Sequence, residues 1–433
     1  MQKIVLGILT CMIVGVLSAQ EQDFGGYRFT LDDCLNYALG NNYNLQSMKL
    51  SEEASEEVYQ QSKKERLPSL SASAGENIGY SNATDDASWT GSYGLSSSMT
   101  LYQGGTISNT IQQNKLRKEQ SVYQTSQYEN NLTLQILQAF LTILGNEELL
   151  KYQEAVIEAS EEQVKQGKDQ FQLGKILESD YLLLEAQYAN DKNNVVDTQI
   201  ALDNSLLSLK NLLSMPATAD LRIVSPDTAS LQALSLVPPL EEAMERTIET
   251  LPDLKIQEYN IELAKIGLKL SKANYLPTVS LHGSVASGHT DFSGFGTQLS
   301  NRLTEQLGVS VSIPIFDNNR TKSQVAQKRI ALKQAELDKK QNELDIRQTL
   351  ATEHRKVTAA YNKYQTTSVR QNAYSKTFDV YRAQFNAGSI TAVDLLQQQN
   401  NYISALNDYI QSKYEFILRR KILDVYMGVR VTM

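Results

Sequence analysis

Leu67-Pro68-Ser69-Leu70 recurs as Leu276-Pro277-Thr278-Val279, and Leu31-Asp32-Asp33-Cys34-Leu35 recurs at the same offset of 209 residues as Leu240-Glu241-Glu242-Ala243-Met244. Further on, Leu101-Tyr102-Gln103-Gly104-Gly105 matches Ile315-Phe316-Asp317-Asn318-Asn319, and Gln170-Phe171-Gln172-Leu173-Gly174 matches Gln384-Phe385-Asn386-Ala387-Gly388, now at an offset of 214. One small insertion between the matched strands accounts for the change. Two copies of one unit, each about half of the 433-residue chain, describe a single duplicated architecture rather than two unrelated domains.

Between these landmarks the chain alternates. From Ser69 to Tyr80, Leu70, Ala72, Ala74, Ile78 and Tyr80 oppose Ser69, Ser71, Ser73, Gly75 and Asn77. The return over 92–103 sets Tyr93, Leu95, Met99 and Leu101 against Gly94, Ser96, Ser98 and Thr100, with Ser81 to Gly91 as the joining loop. In the second copy, strands are expected over 278–290 and 306–316. There Leu307, Val309, Val311, Ile313 and Ile315 face one way, and Gly308, Ser310, Ser312 and Pro314 the other. A two-residue period with small polar side chains on the second face fits a strand whose sides meet lipid and water. Soluble hairpins covering a core would give the same pattern.

After Gly105 a helical pattern runs to Gln172, which at about 1.5 Å per residue makes a rod of roughly 100 Å. Gly145 and Gly167 are expected to interrupt it, whereas the matching stretch from Asn319 to Ala387 contains neither Gly nor Pro. A shorter return helix is expected from Asp180 to Leu213. A first helix, capped by Thr30 with acids in its opening turn, is expected to run to the Arg66-Leu67-Pro68 break. Such rods cannot bury their apolar stripes alone and must pair as coiled coils. The expected organisation is a signal peptide over 1–19, a first repeat over 20–214 with its turn at 171–180, a linker over 215–239 packed outside the rods, and a second repeat over 240–433 with its turn at 385–394.

The start of the chain reads as an export signal: Lys3, an apolar stretch from Ile4 to Leu17, and the small-residue site Leu17-Ser18-Ala19. Cys11 lies within that stretch in a poor lipidation context, and its removal leaves Cys34 alone, so no intrachain disulfide is expected. No later segment has the 18 or so apolar residues of a membrane helix. A net charge of −8 gives nucleic-acid binding no support.

Only helices and closed barrels satisfy their backbone groups inside lipid. Four strands cannot close a barrel with an interior, but three chains would bring twelve, an even number within the range of outer-membrane barrels. The pattern resembles the TolC family of outer-membrane efflux proteins over nearly all of the mature chain. The resemblance rests on Leu-Pro-Ser-Leu and Leu-Pro-Thr-Val opening the first strands, and on Leu101 to Gly105 and Ile313-Pro314-Ile315-Phe316-Asp317 closing the second. It rests also on the Leu173-Gly174 and Ala387-Gly388 turns, each followed six residues later by Asp180 or Asp394. It implies a mainly α chain with a small β portion, a homotrimer with a shared 12-stranded barrel in outer-membrane lipid, and a periplasmic α-helical barrel tapering to an aperture. It further implies a passive exit duct served by an inner-membrane transporter through a periplasmic adaptor.

Within that resemblance, the turns at Leu173, Gly174, Ala387 and Gly388 form the periplasmic end and meet the adaptor. Asp394 matches an acidic residue that rings the constriction. Thr391 to Asp394 equally reads as a capping box, with Asp394 favoured by the helix dipole. Gln397 stands where the family carries a second acidic ring, Ile390 where its best-known member has a locking arginine, and Phe385 keeps an aromatic near the gate tyrosine. No catalytic, cofactor or metal site is expected: His282, His289 and His354 lack partners at ligand spacing, and no nucleophile motif is present. Trp89 is read into the loop beside Tyr80 and Tyr93, as an interfacial aromatic or a loop anchor. The alternative function is a periplasmic coiled-coil scaffold or adhesin without a pore. The cargo, whether drugs, metals or proteins, is not legible.

Overall fold

A computed structural model describes residues 27–81, 86–225, 237–290 and 294–429; the expected signal peptide lies outside them. The repeat extends to the residue counts of the helices. Helices α1 (Leu31–Asn41) and α5 (Leu240–Thr250) have 11 residues each, and α2 (Tyr43–Lys64) and α6 (Pro252–Ala273) have 22 each. The rods α3 (Thr106–Gln172) and α8 (Arg320–Asn386) have 67 each, and α4 (Glu178–Leu212) and α9 (Ala392–Tyr426) have 35 each. Among the described residues the second copy alone adds a short helix of about two turns, α7 (Phe295–Asn301).

The opening helix is two helices, not one. At Asn42 the backbone leaves the helix (ψ 119°), and the Asn42 side chain accepts from the Leu45 amide at 2.9 Å to start α2. Pro252 does the same work in the second copy by holding Leu251 at ψ 125°. Conversely, α3 runs unbroken through Gly145 and Gly167. Both glycines permit close packing instead: a Cβ at 145 would touch the Tyr414 ring at 3.4 Å, and one at 167 would overlap Leu184 Cδ1 at 2.5 Å.

Helices α2 and α4 both lie along α3, and α6 and α9 along α8. Where α2 gives way to α4, Leu31, Cys34 and Leu45 pack on Leu137, Phe140 and Leu144 of α3 and Leu209 of α4. The 215–239 segment is not simply an outer linker. Met215, Ala219 and Leu221 are buried in this same core, and strand β4 (Leu221–Ile223) pairs in parallel with β1 (Tyr27–Phe29). Residues 226–236 lie outside the described residues.

One sheet holds β2 (Ser69–Ser81), β3 (Asp86–Gln103), β5 (Thr278–His289) and β6 (Thr304–Ser312) in the order β2-β3-β5-β6, all antiparallel. The first hairpin is longer than alternation suggested, pairing through Ser81 and Asp86, which places Trp89 on β3 rather than in a loop. The strand expected over 306–316 spans 304–312 instead, ending before Pro314, which has no N–H to give a ladder. Register aligns the two faces across all four strands. Leu70–Ser97, Ala72–Leu95–Val285 and Met99–Leu281–Val309 share one face, while Ser71–Ser96–Ser284 and Ser98–His282–Gly308 share the other.

The turn from sheet to rod uses left-handed residues in both copies: Gly104 (φ 58°) and Gly105 (φ 79°), then Asn318 (φ 55°) and Asn319 (φ 60°). Asparagine tolerates this conformation, yet the two glycines leave unequal room for it. A Cβ at 104 would meet Ala273 O at 2.8 Å and Leu276 Cβ at 2.9 Å, whereas one at 105 finds only the Asn109 side chain at 3.7 Å. Gly104→Asn is expected to cost about 1–3 kcal/mol through overpacking, and Gly105→Asn less, its cost being that of the positive φ alone; thermal melting of the two variants checks it.

Candidate functional site

Each rod ends in the same backbone device. The Gly174 amide donates to Phe171 O at 2.9 Å and Lys175 to Gln170 O at 2.8 Å; Gly388 donates to Phe385 O at 2.9 Å and Ser389 to Gln384 O at 3.0 Å. This crossed pair needs a left-handed residue at its centre, supplied by Gly174 (φ 68°) and Gly388 (φ 74°). The two turns lie side by side and enclose one open cleft, lined by Gly174, Lys175 and Asp180 from the first and by Gly388, Ile390 and Asp394 from the second.

The two tips differ in how their return helices begin. In the second copy Thr391 caps α9: its hydroxyl accepts from the Asp394 amide at 3.2 Å, and Asp394 Oδ2 accepts from Thr391 N at 3.2 Å and Oγ1 at 2.7 Å. In the first copy Leu177 stands in that position with no side-chain cap, so α4 starts on backbone bonds alone. Leu173 and Leu177 are 70% and 71% exposed, where the second copy has Ala387 and Thr391. The first tip therefore exposes two leucines that the second lacks.

The four residues singled out near the aperture separate into two pairs. Asp394 and Gln397 are exposed, three apart on one face of α9. Phe385 is buried (1% exposed) in a cluster with Leu184, Phe378, Ala392, Leu395 and Leu396, and Ile390 packs against that cluster. Phe385 and Ile390 thus hold the hairpin closed instead of presenting themselves to solvent, because α8 must bury one apolar face against α9 before the turn.

Two polar groupings were not legible in the sequence. His289, buried on β5, lies 3.2 Å from Glu76 of β2 and edge-on to Trp89 of β3, with Phe295 of α7 closing over it. Asp191, buried on α4, is met by Ser160 of α3 and Gln399 of α9. Partners on different elements, over 200 residues apart for His289 and Gln399, leave no local signal. Among the described residues no group of histidine, cysteine and carboxylate side chains is placed to hold a metal ion, and no helix is long and apolar enough to cross a membrane.

A four-stranded sheet with one apolar face, feeding 67-residue rods in a duplicated unit, is matched by one family in both halves: the outer membrane efflux proteins, over residues 34–214 and 243–429. The chain belongs to the outer membrane efflux protein family. This efflux protein is 24% identical over 395 residues to the outer membrane protein TolC of Escherichia coli (strain K12), covering 88% of this chain and 78% of TolC. The alkaline protease secretion protein AprF of Pseudomonas aeruginosa is 23% identical over 314 residues, covering 69% of this chain and 61% of AprF. In fold it is similar to the Campylobacter jejuni CmeC outer membrane channel, with a TM-score of 0.76 over 92% of this chain and 85% of that one at 16% identity. It is an outer-membrane export duct reaching into the periplasm, and its work is conduction, with no catalytic step.

Proposed function

We propose that three chains close into one duct, with a shared 12-stranded barrel in outer-membrane lipid and a helical cylinder below it. An inner-membrane transporter feeds its cargo in through a periplasmic adaptor. The observation that carries the reading is the incomplete sheet. Among the described residues strands β2 and β6 are edges without partners, and on the apolar face Leu70, Leu307 and Val309 are 75%, 82% and 62% exposed. A sheet with two open edges and an apolar outer face satisfies both only by joining copies of itself in lipid. The rods make the same demand: Ile330, Leu337 and Leu344 on α8, seven apart, are exposed, an apolar row whose seam a neighbouring helix would cover. A periplasmic scaffold would need the seam but not the apolar sheet face.

Crosslinking the detergent-extracted protein tests the assembly; a trimer is expected, and a monomer under native conditions would remove the shared barrel. At the inner end, exposed Leu173 and Leu177 with Gly174 offer an adaptor helix an apolar seat, and Ala387 and Gly388 a flat one. Asp394 and Gln397 would line the aperture, the three Asp394 carboxylates setting a cation preference although each also closes the capping box of its helix. Asp394→Asn leaves the Thr391 cap in place and keeps an amide oxygen that can accept from the Thr391 N–H, and lowers the cation preference of the reconstituted pore. The change is largest near 0.01 M salt, where the Debye length is about 30 Å; unchanged reversal potentials would take Asp394 out of the aperture.

A further inference from the structure

Roughly 20 Å from the start of α4, at about 1.5 Å per residue, the two hairpins meet around one carboxyl group. Asp191 is 2% exposed, Ser160 2% and Gln399 1%. Asp191 Oδ1 accepts from Gln187 Nε2 at 2.8 Å. Oδ2 lies against Ser160 Oγ and 3.1 Å from Gln399 Nε2. Gln399 Nε2 is also 3.0 Å from Ser160 Oγ, which is itself 3.0 Å from Val156 O.

These are five contacts, and the neutral side chains bring four hydrogens to them: one on Ser160, two on Gln399 and one from Gln187. If Asp191 is ionised, the single Ser160 hydrogen is needed twice, by the carboxylate and by the Val156 carbonyl. A hydrogen on Asp191 supplies the missing one. Asp191 then donates to Ser160 Oγ, Ser160 donates to Val156 O, and every contact has its own hydrogen. Gln399 Oε1 is already buried without a donor, so the seam has nothing spare with which to stabilise a charge.

We propose that Asp191 is held as a neutral carboxylic acid and clasps the first hairpin to α9 of the second as a pH-sensitive joint. None of the side chains in contact with it carries a positive charge. Gln153, Val156 and Ser160 face it or the small cavity beside it from α3, and Gln399, Ile403 and Asn407 from α9; none of them titrates. Burial is the main influence on the carboxyl and pushes it above the usual carboxylate range, with the hydrogen bonds from Ser160, Gln187 and Gln399 only partly opposing it. Ionisation puts an unpaired charge into the seam and loosens α9 against α3 and α4. The joint stands whether or not an adaptor docks at the tips.

A folded-state value above the ordinary one gives stabilisation that is complete below the ordinary carboxylate range, about pH 4, and declines as the pH rises to the folded-state value. Thermal melting of the detergent-purified full chain between about pH 5 and about pH 9 reads this. The wild type is expected to lose several degrees relative to Asp191→Asn, whose carboxamide stays neutral throughout. Gln399→Glu, which sets a second carboxyl against the first, is expected to fall more steeply with pH than the wild type. Parallel curves for wild type and D191N, or for wild type and Q399E, overturn the proposal. So does a D191N chain that no longer assembles at the acid end, where a neutral side chain should fit.

Discussion

Leu95→Arg removes the protein from the outer membrane as an assembled oligomer, and Ser96→Arg one position on leaves assembly intact. Leu95 lies near the middle of β3, 52% exposed in the single chain, between Ala72 and Val285 on the face that also carries Leu70, Ile78, Leu281 and Val309. Ser96 lies between Ser71 and Ser284 on the opposite face. An arginine on the lipid side of a barrel costs about 2–4 kcal/mol near the bilayer midplane, and close to nothing on the water side. In the proposed trimer the penalty is incurred in every chain, roughly 6–12 kcal/mol for one barrel, comparable to the whole stability of many folded domains. The check is the yield of heat-modifiable oligomer in the outer-membrane fraction for each variant. Equal yields would mean that neither face meets lipid, and loss only in S96R would reverse the faces.

Phe385→Ala unzips the second tip. Phe385 is 1% exposed and packs in a cluster with Leu395 and Phe378 where α8 turns into α9, so truncation leaves a cavity that costs about 3–5 kcal/mol. Phe385→Leu refills most of that volume and is expected to cost less than about 1.5 kcal/mol. Hydrogen exchange over 378–396 reads the difference: faster exchange in F385A confined to the tip, with the β-sheet and the core around Phe140 unchanged. The competing role, an aromatic facing the aperture, makes the opposite forecast: stability would be kept and single-channel conductance altered. Because Gly388 and the Thr391 cap are both built on this hairpin, loss of Phe385 also displaces Asp394, so the polar end of the tip fails with its core.

Much of the architecture is local and therefore readable along the chain. Alternation over 69–80 and 307–315 marked strands because a strand turns its side chains every two residues whatever it pairs with. The Thr391 to Asp394 spacing marked a helix start because a capping box is closed within three residues. Local reading failed where a residue's role is set by something distant. Gly145 and Gly167 looked like breaks, yet their lack of a side chain lets Tyr414 and Leu184 approach. The burial of Phe385 was likewise not readable along the chain, because Leu395 and Leu184, on two other helices, supply it.

The repeated Leu-Pro segments and the 214-residue offset between the two turns determined by themselves that the unit is doubled, helix-rich and carries four strands. Periodicity and duplication are properties of the chain's order, and they persist however the copies are placed. Only the tertiary structure decided how the copies differ. It set β3 beside β5, so that one sheet spans both repeats. It drew Met215 and Leu221 into a shared core, buried Phe385 between two other helices, and joined Asp191 to Gln399 across 208 residues. Each of these depends on which apolar surface is nearest once the rods lie side by side, and burial acts on neighbours in space without regard to their distance in sequence.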